Sequence, residues 1–294
     1  MKSAGWKRST GPIQCSVFLD HHTMKSVKRQ ILLTNDDGIQ SPGLWAAAEA
    51  LSQLGYVTVA APRDQASGSG RSHPLTSDGR IQSTTLHVHD QDWTVYAVGG
   101  TPAQTVLHAV LEIMPQRPDL VVSGINYGEN VGNCITISGT VGAAMEGASL
   151  GIPALAVSLQ LLSGDYLGYS RQVDFSTAAY FTCLFSKMLL ERQFPADVDF
   201  LKLEVPAHAT PQTQWRMTRM SSLRYFVPFI KRSGSQAENG QIDYRIEVPL
   251  DRTEPDSDVY ALTVDGVVAV TPLSLDMTAR VDLKALEQSL KASK

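Results

Sequence analysis

From residue 31 onward, short apolar runs alternate with amphipathic stretches that carry apolar residues on one face. This alternation is the pattern expected of β-α-β units, in which helices cover both faces of a parallel sheet. Strands are predicted at residues 31–34, 56–61, 93–98, 119–123 and 154–158, and helices at 42–54, 103–114, 141–150 and 173–191. The pattern therefore predicts an α/β fold with a three-layer core.

Two of these helices have clear start signals. Ser41 precedes Pro42, and proline suits the first helical turn because its missing N–H would have no partner there. Thr101 and Gln104 have the spacing of a capping box around Pro102. Residues 74–88 are less regular, and a hairpin is predicted around residues 77–79.

The pattern weakens at both ends of this core. Residues 1–28 mix charged and polar side chains without a period and lack the apolar segment of a signal peptide, which predicts a disordered extension. One hypothesis is that translation begins at Met24, which would make the first 23 residues an artefact of the start site. After about residue 206, strands are predicted at 242–248, 259–262 and 266–272, followed by a terminal helix at 280–290. We therefore divide the chain into an extension (1–28), a core (29–205) and a β-rich C-terminal arm with a terminal helix (206–294).

Composition narrows the classes of function. The chain has 294 residues, of which 43% are hydrophobic and 18% charged, as in ordinary globular proteins. A formal net charge of −4 argues against binding to duplex nucleic acid or to anionic membranes, because both need clustered Lys and Arg. No apolar stretch approaches the ~18 residues of a membrane span. The three cysteines form no C-x-x-C pair, which favours a cytoplasmic location.

Two adjacent carboxylates, Asp36 and Asp37, follow the first predicted strand. In an open parallel sheet, ligands bind beyond the carboxyl ends of the strands, so this pair lies where a site is expected. Like charges this close repel each other, and a divalent cation would relieve the repulsion. A plain Asp-Asp-Gly turn, in which Asp bonds its own backbone and Gly38 takes a positive φ, explains these residues equally well.

Two later segments add polar groups after another predicted strand. Residues 124–133 carry amide side chains and three glycines, which let the backbone approach a ligand closely. Ser138, Gly139 and Thr140 then precede a helix whose first N–H groups favour a phosphate. An irregular glycine turn and an ordinary N-cap at Thr140 are the alternative interpretations.

The loop at residues 61–72 also follows a strand and carries Ser67, whose hydroxyl can supply a neutral oxygen. Carboxylate, amide and hydroxyl oxygens are the ligands that hard cations such as Mg²⁺ and Mn²⁺ prefer. The seven histidines are scattered, and no Cys or His cluster has the spacing of a zinc site. The oxygen groups of these three loops therefore favour a hard divalent cation over zinc.

In order and approximate spacing, these loops resemble the SurE survival-protein family over residues 29–275. The similar segments are Asn35-Asp36-Asp37-Gly38, the loop ending in Ser67-Gly68, Gly100-Thr101-Pro102-Ala103, Val122-Ser123-Gly124-Ile125-Asn126 and Ser138-Gly139-Thr140-Val141. The resemblance implies a Rossmann-like core and a divalent-metal-dependent phosphatase that hydrolyses nucleoside 5′(3′)-monophosphates to nucleoside and phosphate. It also implies a homodimer or homotetramer in which C-terminal segments are exchanged between subunits.

Carried over residue by residue, the resemblance implies a set of roles. One Mg²⁺ or Mn²⁺ ion would be bound by Asp36, Asp37, Ser67 and Asn126. The phosphate would be received by Asn126, Ser138, Gly139 and Thr140. Glu129 and Ile137 differ from the residues that are frequent in the family, so the preference among nucleotides is left open.

Asp36 is the candidate catalytic residue, activating or orienting a water that attacks the phosphorus in line. A covalent aspartyl-phosphate on Asp36 is the competing mechanism. A different class of function, a non-catalytic metal- and nucleotide-binding sensor or scaffold, would use the same motifs. A Rossmann oxidoreductase is poorly supported, because no G-x-G-x-x-G follows the first strand.

Overall fold

The structure is a computed structural model that describes residues 28–88, 91–162, 173–232 and 240–292. The extension predicted for residues 1–28 lies outside these ranges, apart from Lys28, and so does the proposed start at Met24. Those two predictions are therefore not tested by the fold.

A nine-stranded sheet runs through the centre of the described chain, in the order β3-β4-β2-β1-β5-β6-β7-β11-β8. Its strands are β1 (Arg29–Thr34), β2 (Gly55–Pro62), β3 (Ile81–Val88), β4 (Gln91–Val98), β5 (Leu120–Tyr127), β6 (Ala154–Leu159), β7 (Phe200–Val205), β8 (Trp215–Met217) and β11 (Val268–Leu273). The pairing is parallel except between β3 and β4 and between β7 and β11. The predicted α/β class is confirmed, with a mixed, mostly parallel sheet.

Helices cover both faces of this sheet. The helices of the described chain are α1 (Pro42–Leu51), α2 (Pro102–His108), α3 (Gly139–Ser149), α4 (Ser176–Glu191), α5 (Asp258–Thr263) and α6 (Leu283–Ala292). The helices α1 and α4 contact each other on one face, and α2 and α3 contact each other on the opposite face. Because side chains alternate along a strand, Ile31 and Leu33 pack in the core beneath α1 and α4, whereas Leu32 packs beneath α2 and α3.

Several predicted elements differ from the structure. Residues 259–262, predicted as a strand, lie in α5, where Ser257 caps the helix by accepting from Tyr260 N–H. A four-residue apolar run is too short for its period to distinguish a strand from a helix. The predicted hairpin around residues 77–79 is wrong, because Asp78 pairs with Arg63 and β3 instead forms an antiparallel pair with β4. The helix predicted at 103–114 changes to a π-helical turn at Ala109–Ile113.

The sheet continues past residue 206, since β8 and β11 join it beyond β7. Two further strands, β9 (Phe226–Lys231) and β10 (Gln241–Ile246), form a separate antiparallel sheet. None of the residues of α6 is buried. The prediction missed β7, β8 and β9, although residues 201–205 of β7 alternate apolar and polar side chains. The division at residue 206 stays a prediction.

Candidate active site

The Asn35-Asp36-Asp37-Gly38 segment turns sharply at the carboxyl end of β1. Asn35 closes the turn, because its Nδ2 donates to the Gly38 carbonyl and its Oδ1 accepts from Gly38 N–H, both at 3.1 Å. Gly38 has a φ of 96°, which favours glycine. The turn predicted as the alternative interpretation is present, but Asn35 forms it. Both Asp side chains therefore remain available for other contacts.

The Asp36 carboxyl faces the beginning of α3. Its exposed fraction is 4%, and Thr140 Oγ1 donates to its Oδ1. Burial raises the pKa of Asp36, and the hydrogen bonds from the Thr140 side chain and from the backbone of Gly139 and Thr140 oppose this shift. The N-terminal end of α3 thus stabilises the charged form of this carboxyl, because the helix dipole is positive at that end.

Asp37 lies against β5 on the other side of the turn. It is 3% exposed, and its Oδ2 accepts from Tyr127 N–H at 3.2 Å. Burial and then repulsion from Asp36 raise the pKa of Asp37 to about 8, while hydrogen bonds from Tyr127 and Gln65 act in the opposite direction. The two adjacent carboxyls are therefore in an environment that disfavours two negative charges without a cation.

Asn126 projects from the end of β5 toward the same place. Its Nδ2 donates to the carbonyls of Gly128 at 2.7 Å and Tyr127 at 3.2 Å. This arrangement turns the amide oxygen the other way, where it lies 3.2 Å from Thr140 Oγ1. Because Thr140 contacts both Asp36 and Asn126, the ends of β1 and β5 and the start of α3 meet at one point.

The loop that carries Ser67 reaches this point through its backbone. Ala66 N–H donates to the Asp36 carbonyl at 2.8 Å, so Ser67 follows a residue that is hydrogen-bonded to the acidic turn. Ser67 is exposed, and its hydroxyl accepts from Gln65 Nε2 at 3.1 Å. Since Gln65 also hydrogen-bonds to Asp37, the described contacts of Ser67 with the pair pass through this glutamine.

Ser138, rather than Thr140, caps α3. Its hydroxyl accepts from Val141 N–H at 3.2 Å, and Gly139 is the first helical residue. The alternative interpretation of an N-cap at Thr140 is therefore wrong, because the Thr140 hydroxyl points to Asp36 instead. Gly139 is packed so closely that an added Cβ would lie 2.7 Å from the Cβ of Asp36. The backbone of α3 thus begins in direct contact with the acidic turn.

The donor groups gathered here fit a hard cation. They comprise two carboxylates, an amide oxygen and hydroxyls, and the amide nitrogen of Asn126 is turned away from them. Among the described residues there is no group of three or more His, Cys, Asp and Glu placed to hold a metal, so a cation bound here would take neutral oxygens as its remaining ligands. Asp36 forms no ion pair within the described chain that would neutralise it.

Three contributors were not recognised from the sequence. Asn35 holds the turn, Gln65 links Ser67 to Asp37, and Ser69 lies next to Gly139. The Ser69 Oγ is buried and has no hydrogen-bond partner among the described residues. For Ser69, the available signal was its place two residues after Ser67 in a loop already assigned to the site.

The chain is similar to known proteins over most of its length. Residues 31–226 match the protein family described as Survival protein SurE. Over 262 residues the chain is 42% identical to a protein named 5′-nucleotidase SurE from Thermococcus gammatolerans, covering 89% of this chain and 96% of that protein. A protein of the same name from Methanosarcina mazei is 39% identical over 268 residues, covering 89% of this chain and 97% of its own.

Similarity extends to solved structures. The crystal structure of the SurE protein from Aquifex aeolicus aligns with a TM-score of 0.68 and 32% sequence identity, covering 90% of this chain and 99% of that chain. Within the described ranges, no helix combines the length and apolar character needed to cross a membrane.

Proposed function

Because this chain belongs to the SurE survival-protein family, we propose that it is a divalent-metal-dependent phosphatase that hydrolyses nucleoside 5′(3′)-monophosphates to nucleoside and phosphate. The observation that carries this proposal is the contact of Thr140 with both Asp36 and Asn126. Three segments that are distant in sequence thereby present oxygen ligands and helix N–H groups at one edge of the sheet. The relatives are named 5′-nucleotidases, which supports the 5′-monophosphate as the first substrate to test.

One Mg²⁺ or Mn²⁺ ion would be held by Asp36, Asp37, Ser67 and Asn126. When bound, this cation would neutralise the acidic pair and polarise the phosphoryl oxygens. The Asn126 amide is already oriented for this role, because both of its Nδ2 contacts are with backbone carbonyls. Gln65 is placed to keep the Ser67 hydroxyl beside Asp37.

The phosphate would be received by Ser138, Gly139, Thr140 and Asn126. The first N–H groups of α3 are donors that favour an anion, and they lie beside Asp36. Such donors stabilise negative charge on the phosphoryl oxygens as the bond to the nucleoside breaks. Because the same end of α3 also contacts Asp36, the phosphorus would lie within reach of this carboxyl.

Asp36 is our candidate for activating or orienting the attacking water. Its carboxyl is held in one orientation by Thr140, which suits a general base that accepts a proton from one bound water. A covalent aspartyl-phosphate on the same residue is the competing route. Rapid-quench trapping distinguishes the two, because only the covalent route yields a phosphorylated peptide containing Asp36.

The activity is tested by inorganic phosphate release from AMP and GMP with Mg²⁺ or Mn²⁺, with and without EDTA. Asp36→Asn should lower the rate by at least about 100-fold, the scale on which general bases contribute. Asp64→Asn is the matched control, because Asp64 is exposed and contacts Arg63 rather than the site. Binding of metal and nucleotide without any phosphate release would instead indicate a sensor or scaffold, and retained activity in Asp36→Asn would contradict the assignment.

A homodimer or homotetramer with exchanged C-terminal segments and a cytoplasmic location are further parts of the proposal. Exposed apolar side chains support the first, including Ile230 and Ile242 on the β9–β10 sheet and Leu286 and Leu290 on α6. Patches of this kind often mark protein–protein contacts. Sedimentation of the full chain as a monomer would contradict the exchange.

A further inference from the structure

Three charged side chains are buried beneath the segment that joins the two halves of the proposed site. Lys202 and Glu204 lie on β7 and Asp258 begins α5, and the side chains of all three have an exposed fraction of 0%. We call these three residues the Lys202 cluster. Burying charges is costly, and apolar side chains of similar volume often give equal or greater stability. Fold stability alone therefore does not explain this cluster.

The Lys202 ammonium group uses all three of its donors. Its Nζ lies 2.8 Å from the Asn130 carbonyl, 3.0 Å from Asp258 Oδ2 and 3.4 Å from Glu204 Oε1. The first of these contacts is to the backbone of a loop, not to a side chain. Lys202 therefore connects the sheet to the segment that follows β5.

The two carboxylates bind the same segment from either side of Lys202. Glu204 Oε2 accepts from Asn130 N–H at 2.9 Å, and Asp258 Oδ2 accepts from Gly132 N–H at 3.0 Å. Both backbone groups of Asn130 are thus bound by the cluster. Three backbone contacts within three residues leave this segment little freedom to shift.

The anchored segment at residues 130–132 lies between the two parts of the site in sequence. Asn126 precedes it, and the Gly128 carbonyl that orients the Asn126 amide lies between them. A 3-10 helix, Gly132–Ile137, begins at the last residue of this segment and leads directly into Ser138, the cap of α3. Residues 130–132 thus lie on the backbone path that connects Asn126 to the start of α3.

We propose that Lys202, Glu204 and Asp258 are positioning residues that hold the Asn126 amide oxygen and the start of α3 at the separation required for divalent-cation binding. The inference rests on the proposed function, which makes Asn126 a metal ligand. The cluster acts at a distance through the backbone of residues 130–132. It resembles the outer shell of other metal sites, where loss of one supporting group lowers metal affinity or activity by about 10- to 100-fold.

The test measures Mn²⁺ binding to the full chain. The electron paramagnetic resonance signal of free Mn²⁺ reports how much of the ion remains unbound. Lys202→Met should weaken binding by at least about tenfold. Phosphate release from AMP should then need a correspondingly higher Mn²⁺ concentration for half-maximal activity. Leu203→Ala is the matched control, because Leu203 is buried on the same strand but packs in the core beneath α1 and α4. It should lower the stability without changing the Mn²⁺ affinity of the folded protein.

A second variant keeps the proposal testable if Lys202→Met does not fold. Glu204→Met keeps the length of the side chain and leaves Lys202 paired with Asp258, while it removes the acceptor for Asn130 N–H. It should also weaken Mn²⁺ binding by about tenfold. Wild-type affinity in folded Glu204→Met, or an equal loss in Leu203→Ala, would overturn the positioning role. Absence of phosphate release by the wild-type protein would instead refute the proposed function. The Mn²⁺ affinities of the variants would still test the positioning role of the Lys202 cluster.

Discussion

Gly139→Ala would place a methyl group between α3 and the Asp36 carboxyl. The new carbon would lie 2.7 Å from Asp36 Cβ, 2.8 Å from Ser69 Oγ and 2.9 Å from Asp36 Oδ2. Carbon atoms normally pack at about 3.5–4.0 Å, so Asp36 or the start of α3 must move by about 1 Å. Gly139 is the first residue of α3, where alanine has no conformational penalty, so the effect must come from these contacts.

A displacement of about 1 Å at a reacting group can lower the rate about 100-fold. We therefore expect Gly139→Ala to reduce kcat/KM for AMP by about that factor, with weaker Mn²⁺ binding. Phosphate release at several Mn²⁺ concentrations measures both effects, and urea denaturation measures the stability. Crowding of this kind typically lowers the free energy of unfolding by about 1–3 kcal/mol, which leaves a protein of ordinary stability folded.

Gly147→Ala is the matched control on the same helix. Its methyl carbon would lie 2.8 Å from Val121 Cβ, a similar crowding in the core rather than at the site. This variant should lose stability by a similar amount and keep the turnover of its folded fraction close to the wild-type value. Equal turnover in the two variants would refute the claim that the contact between Gly139 and Asp36 matters for catalysis.

Three other outcomes follow from the same geometry. Because the pKa of Asp37 is raised to about 8, a cation must displace a proton at lower pH, so titrations of Mn²⁺ should show affinity falling at least about tenfold per unit below that pH. With metal removed by EDTA, the free energy of unfolding should decrease as pH rises from about 4 to about 8, because Asp37 releases its proton in the unfolded chain but retains it in the folded one. Urea titrations that show the free energy of unfolding rising over this range would contradict this. Thr140→Val removes the hydroxyl that contacts Asp36 and Asn126, and it should lower the rate of phosphate release from AMP by at least about tenfold. Thr140→Ser keeps a hydroxyl and should retain most of this rate.

Local signals in the sequence were sufficient for most of the core. The capping box at Thr101 and Gln104 is present as predicted, because its hydrogen bonds join residues three apart. The run at 259–262 was misassigned, because its helical state depends on Ser257 and on packing against β11. Short segments of this kind take the structure that their tertiary contacts select.

The site was predicted less completely than the fold. Asp36, Asp37 and Asn126 were recognised, and the structure brings them together. The structure alone identified Ser69, whose buried hydroxyl has no described partner, and Gln65, which contacts Ser67. The signal for Ser69 was only its place in the loop that carries Ser67, and no sequence feature distinguished Gln65 from an ordinary surface residue.

Sequence patterns alone predicted the α/β fold, the polar loops at one edge of the sheet and oxygen ligands for a cation, because periodicity, capping and side-chain chemistry are properties of residues and their near neighbours. Long-range packing turns Thr140 toward Asp36, 104 residues away, and buries Asp37 so that its pKa is raised. It also decided that Lys202 would lie beneath Asn130. These features depend on which distant segments pack together and on how much water that packing removes, and neither quantity is encoded in any short stretch of the chain.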